Sequence, residues 1–202
     1  MKTILLTGFE AFGGDLSNPS QRAAEQMDGL KLPGCRVTSL LLPVDTGRAP
    51  EVLDAALDRL NPRAVLLTGL ASGRTQLSLE RVALNVLDFR LPDNAGQTRQ
   101  DCPVSEDGPD ALLSTLPLRA VLAAWRAAGI PGYISDTAGL YLCNQVMYHA
   151  RQRLGPGIPV GFLHLPACEA LALESKAHLP YLPQAELTRG VRVALETLAD
   201  SL

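Results

Sequence analysis

Apolar residues recur along this chain in two alternating patterns, short continuous runs and one-sided stripes. The runs are Thr3 to Thr7 (TILLT), Val37 to Leu42, Ala64 to Thr68 (AVLLT), Gly132 to Ser135 and Pro159 to Leu165 (PVGFLHL). Runs of this length predict buried strands. Leu77 to Phe89 contains further extended pieces, closed by a turn at Pro92-Asp93-Asn94. The stripes have helical spacing. Ser20 to Met27 follows Asn18-Pro19, an N-cap and a proline suited to the first turn. Ala49 to Leu60 places Leu53, Ala56, Leu57 and Leu60 on one face. Thr115 to Ala128 reads as a helix capped by Thr115 and ended by Gly129. Leu142, Val146, Met147, Ala150 and Leu154 form a fourth stripe, and Glu186 to Leu202 closes the chain as a helix. The polar, Pro- and Gly-containing stretch Asn94 to Asp110 reads as a surface excursion. Buried strands alternating with one-faced helices predict an α/β fold: a three-layer αβα sandwich with a mostly parallel, twisted sheet.

With 202 residues, the pattern fits a single domain over 1–202. A net charge of −3 gives no basic surface for nucleic acid or an anionic membrane. No apolar run approaches a membrane span. The start, MKTILLTGFEAFGG, is too short in its apolar part for a signal peptide and reads as a first strand. Cys35, Cys102, Cys143 and Cys168 show no CxxC or metal-type spacing. Reduced thiols and a cytoplasmic setting are the expectation.

In open α/β sheets, function gathers beyond the carboxyl ends of the strands. Four features map there: the loop Gly8 to Gly14, the loop Gly69 to Arg74, Cys143, and His164. Cys143 falls in the first turn of its helix, where unpaired N–H groups and the dipole favour a thiolate. A lone helical cysteine is otherwise a small buried hydrophobe. His164 sits in an apolar strand, either as a core histidine bonded to backbone or as a base for Cys143. About one helix and one connection separate the two, which predicts adjacent strand ends. Among the other histidines, His149 is expected to face solvent, and His178 lies in a loop by Pro180. Glu80, an acid in the apolar segment QLSLERVALNV, is either the group that orients the imidazole or a surface partner for Arg81. Phe9 and Phe12 are two of only four phenylalanines, both expected on the first loop. They either cap the core or wall a flat apolar ligand. The chain has neither GxGxxG in that loop nor GK[ST] anywhere, so a phosphate cradle has little support.

Several motifs in one order resemble the pyrrolidone carboxyl peptidase (pyroglutamyl peptidase type I) family. They are MKTILLTGFEAFGG with Asn18-Pro19, GLASGRTQLSLERVALNVLDFRLPDN from Gly69 to Asn94, LLSTLP at Leu112 to Pro117, TAGLYLCNQVMY from Thr137 to Tyr148, and FLHLP at Phe162 to Pro166. The resemblance implies a phosphorylase/hydrolase-like α/β fold. It also implies a cysteine peptidase that removes N-terminal pyroglutamate from peptides, with no cofactor or metal and often assembled as a homotetramer. It makes Cys143 the nucleophile, His164 the base and acid, and Glu80 the orienting carboxylate. It places the substrate ring between Phe9 and Phe12, with amide recognition at Asn18 and at backbone near Leu70 and Ala71. Arg90 would then lie near the reacting carbonyl. Two places depart from the family pattern. Asp136 stands where a neutral residue is expected and would raise the pKa of a nearby thiol. The tract 167–181, with Cys168, supports no assignment. Two other readings of the chain remain: a nucleoside hydrolase or phosphorylase, and a redox-sensitive binding domain.

Overall fold

The computed structural model describes residues 1–175 and 178–202. In chain order the elements are β1 (Lys2–Phe9), α1 (Pro19–Met27), β2 (Lys31–Leu32), β3 (Cys35–Leu42), α2 (Arg48–Leu60), β4 (Ala64–Leu70) and β5 (Leu77–Leu84). They continue with β6 (Ala111–Leu113), α3 (Leu118–Ala127), β7 (Gly132–Thr137), α4 (Leu142–Leu154), β8 (Val160–Leu165), α5 (Glu169–Glu174) and α6 (Gln184–Asp200). The strands form one sheet in the order β2-β3-β1-β4-β8-β5-β6, with β7 also paired to β5. The run β3-β1-β4-β8 is parallel. β5 runs antiparallel to β8, and β7 runs parallel to β5.

The sheet is therefore mixed, largely parallel and flanked by helices, as the alternation of runs and stripes predicts. The correction concerns neighbours. β7 and β8 are not adjacent, because β5 stands between them and contributes Ser78 opposite His164. Each central strand alternates between two cores. Leu66, Leu77, Leu79, Leu163 and Leu165 belong to the core shared with α1, α3 and α6. Val65, Leu67, Val160 and Phe162 belong to the core shared with α2 and α4. Period-two alternation requires this division when both faces are covered.

Local chemistry explains the element ends. The Asn18 carboxamide oxygen accepts the Ser20 N–H over 3.0 Å and caps α1. Gly8 lets that helix sit against β1, since a Cβ there would stand 2.4 Å from the Ser20 carbonyl oxygen. α3 starts later than the sequence predicts. Thr115 does not cap it; its hydroxyl donates to the Ile158 carbonyl and accepts the Val160 N–H, tying the segment after β6 to the start of β8. β2, β6 and α5 were not predicted; the longest has only six residues, too short for a readable period. Among the described residues, no helix is long and apolar enough to cross a membrane.

Candidate active site

The helix α4 carries the stripe the sequence predicts, with Leu142, Val146, Met147 and Ala150 buried. Its first turn is fixed by two polar side chains. Asn144 accepts the Leu84 N–H over 2.8 Å and donates to the Leu84 and Val86 carbonyls, holding the helix to the end of β5. Gln145 accepts from the Thr46 hydroxyl and donates to the Thr46 carbonyl over 2.8 Å. Asp93, in the turn at Pro92 to Asn94, accepts the Thr46 N–H in turn. Sequence reasoning missed both anchors. Their signal is a polar pair on the buried face directly after the cysteine.

Cys143 is thereby held over Gly69 of β4. A Cβ at Gly69 would stand 2.9 Å from the sulfur and 2.8 Å from the Phe162 ring, so only glycine leaves the thiol its place. Gly69 pairs in register with His164 on β8. The imidazole packs against Phe162, with ring centroids 4.6 Å apart. Its Nδ1 donates to Oε1 of Glu80 over 2.7 Å; an ionised carboxylate only accepts, which leaves the lone pair on Nε2. Glu80 is fully buried and does not pair with Arg81. It also accepts from Arg74 Nη1 over 2.6 Å. Arg74, in the loop between β4 and β5, received no role from the sequence.

Electrostatics modify the expectation of a ready thiolate. Burial pushes the Cys143 thiol up to about 12, and the charge of Glu80 adds to that rise. Arg74 and the backbone N–H at the helix start oppose it but do not prevail. The residue as a whole keeps some exposure, so the sulfur is shielded at the foot of an open pocket. His164 is held below its ordinary value of 6.5, again chiefly by burial, against the upward pull of Glu80. Both shifts favour the uncharged forms at rest, a neutral thiol and a neutral imidazole. Asp136 is exposed on β7 and does not act on Cys143; Glu80 is the carboxylate that does.

The pocket at Cys143 is lined by Phe9, Phe12, Asn18, Val44, Leu70, Tyr141 and Leu142. Phe9 is not on a loop; it is the last residue of β1 and nearly buried. Phe12 follows in the loop, its ring 6.2 Å from Tyr141, which in turn meets Phe89 edge-on at 4.6 Å. That loop is pinned by Asn94, which donates to the Ala11 carbonyl and to Glu10. Asn18 combines its capping role with a place in the pocket wall, and its Nδ2 donates one hydrogen to the Glu10 carbonyl. Ala71 lies outside the lining, and its N–H is taken by the Leu165 carbonyl over 2.8 Å. Arg90 is exposed and lines an adjoining groove with Asp88, Leu91, Gly139 and Leu140; Phe12 and Tyr141 form the shared wall.

The other residues singled out lie elsewhere. His149 does not face open solvent, because its ring meets Asp54 of α2 over 2.9 Å. His178 is exposed, and Cys168 is buried at the start of α5. Among the described residues, no group of three or more His, Cys, Asp or Glu is placed to hold a metal ion.

Comparison with known proteins agrees with the motifs. The profile of the family described as pyroglutamyl peptidase matches residues 2–201. A pyrrolidone-carboxylate peptidase of Deinococcus radiodurans is 55% identical, covering 98% of this chain and 94% of its own. The crystal structure of pyrrolidone carboxyl peptidase from Thermus thermophilus superposes with a TM-score of 0.91 at 47% identity, over 96% of this chain and 100% of the other. A mutant pyrrolidone carboxyl peptidase from Pyrococcus furiosus gives 0.93 at 38% identity, over 99% of both chains. Matches of this extent in sequence and in fold show that the chain belongs to the pyroglutamyl peptidase family.

Proposed function

We propose that this chain is a cysteine peptidase that removes the N-terminal pyroglutamyl residue from peptides through a thioester on Cys143. The observation that carries the reading is the convergence on one aromatic-walled pocket. Cys143 opens into it, and His164, backed by buried Glu80, lies at the strand position beside it. As the sulfur attacks the pyroglutamyl carbonyl, its proton passes to His164 Nε2. A neutral thiol and a neutral base are the partners that this transfer needs. Glu80 holds the ring and stabilises the imidazolium that forms. Backbone N–H groups at the start of α4 receive the oxyanion, with Arg90 approaching from the adjoining groove once a peptide is bound. The imidazolium then protonates the leaving amine, and the carbon–nitrogen bond breaks to give the thioester. His164 next deprotonates water, which attacks the thioester, releases pyroglutamate and restores the thiol.

Specificity follows from the walls. Phe9 and Phe12 suit a flat, uncharged lactam ring, and Asn18 keeps a second amide hydrogen for its carbonyl. Backbone at Leu70 completes the amide recognition; Ala71 could add only a second lone pair of its carbonyl, since its N–H is bonded to Leu165 and its carbonyl already accepts the Arg74 N–H. A prolyl peptide would bring a charged amine into this slot and leave the amide groups unpaired. The four free cysteines fit a reducing, cytoplasmic setting, and we expect a homotetramer that sedimentation would read. The test is kcat/KM for pyroglutamyl and prolyl reporter amides side by side, with and without thiol alkylation. The reading requires cleavage of the first alone, abolished by alkylation. Comparable values for the two amides would contradict it.

A further inference from the structure

Arg74 stands behind the reacting groups, and no step above uses it. Its Nη1 donates to Oε1 of Glu80 over 2.6 Å and also to the hydroxyl of Ser78, the residue paired with His164 across β5 and β8. The same Oε1 accepts His164 Nδ1 over 2.7 Å. Two donors thus converge on one carboxylate oxygen. The other, Oε2, is buried without a partner among the described residues. Among the described residues, the groups facing this pair are few. They are the thiol of Cys143 from α4, the guanidinium of Arg74 from its loop, and the Tyr133 ring on β7, whose centroid lies 6.0 Å from that guanidinium. Among the described residues, Arg74 is therefore the one cation at the pair.

A carboxylate sealed from water against a neutral imidazole tends to take up a proton, because nothing repays its lost hydration. A neutral carboxyl would no longer orient the imidazole as a pure acceptor. A fully uncompensated carboxylate would draw a proton onto the imidazole and leave no base for the thiol. We propose that Arg74 is a positioning residue for the hydrolysis. It fixes the Glu80 carboxylate that orients His164, and it offsets part of that carboxylate's charge at the imidazole and the thiol. The inference rests on the roles given above to Cys143, His164 and Glu80. The direction of its field agrees: Arg74 lowers both the imidazole and the thiol, where Glu80 raises both.

The test uses Arg74→Met and Arg74→Lys. In a folded Arg74→Met enzyme, kcat should fall roughly tenfold with KM nearly unchanged, and the acid limb of kcat/KM should move to higher pH by roughly one unit. Arg74→Lys keeps the charge and should return the limb most of the way. A merely structural role would lower Tm and activity alike without moving the limb. A second measurement needs no turnover. In a Cys143→Ala background, NMR titration of the His164 ring should give a higher pKa with Met at position 74 than with Arg. An unmoved limb together with an unmoved His164 titration overturns the inference. Wild-type turnover in His164→Ala overturns instead the catalytic roles it rests on, and the Cys143→Ala titration tells the two failures apart.

Discussion

The two faces of the central sheet are built from the same strands and do opposite things. On the face toward α1, α3 and α6, β4, β5 and β8 present Leu66, Leu77, Leu79, Leu163 and Leu165, all sealed in an apolar core. Trp125 closes that face, its indole N–H satisfied by the Gly190 carbonyl. On the face toward α2 and α4, the same strands present Gly69, Glu80 and His164, with Asn144 and Gln145 fixing the helix above them. One residue of register separates a leucine from a catalytic candidate on every strand concerned. The apolar face supplies rigidity. The other face tolerates a fully buried carboxylate because two polar partners, His164 and Arg74, are held close by a frame that cannot relax away from them.

Substitutions can break this comparison face by face. Cys143→Ser should cost the most on the order of 10⁴-fold in kcat/KM with an unchanged Tm, since an alcohol is far less acidic and the buried helix end cannot compensate. Retained turnover would remove the sulfur from the chemistry. His164→Ala should lose on the order of 10³-fold, and Glu80→Gln less, because an amide still orients the ring but no longer stabilises the imidazolium. The pH profile sharpens that pair. His164 must be neutral to accept the proton, and its pKa lies below 6.5, so kcat/KM should rise through an acid limb below that pH. No further rise should follow at moderately alkaline pH, since the thiol does not ionise until about 12. A limb above pH 7 would contradict the neutral resting pair.

Gly69→Ala probes the contact between the faces' chemistry and their frame. Its methyl would displace the sulfur and the Phe162 ring, and a thiol misplaced by about 1 Å should lose on the order of 10²-fold in kcat. The smallest effect on chemistry is expected from the opposite face. Leu195→Ala in α6 leaves a cavity in the apolar core, so Tm should drop by roughly 5–15 °C while kcat/KM at 25 °C stays at its wild-type value. A large loss of activity in that variant, while still folded, would show that the two faces are not separable.

Much of this division was readable in the order of residues. Alternating runs and stripes identify the strands, the α4 stripe and the three-layer arrangement, because burial on a covered sheet leaves a local periodic mark. The motifs around Glu80, Cys143 and His164 hold residues that the fold brings into one neighbourhood. Pairing does not leave such a mark. Nothing local to QLSLERVAL says that β5 inserts between β7 and β8, parallel to the first and antiparallel to the second, and that insertion is what brings Glu80 to His164. Arg74 is invisible for the same reason, since its partner is named by tertiary packing. The thiolate expectation failed because a helix end is a local cue, whereas the burial that outweighs it belongs to the whole fold. The concern raised by Asp136 in the sequence falls away because that residue is exposed and Glu80 is the carboxylate that acts on the thiol.

The central claim is that the pyroglutamyl group passes through Cys143. Rapid acid quench of the enzyme with excess pyroglutamyl ester, followed by intact and peptide mass spectrometry, reads it most directly. The account expects one pyroglutamyl adduct, on the peptide containing Cys143, that disappears with hydroxylamine and is absent from Cys143→Ala. An adduct on another residue, or steady turnover by Cys143→Ala, would contradict it.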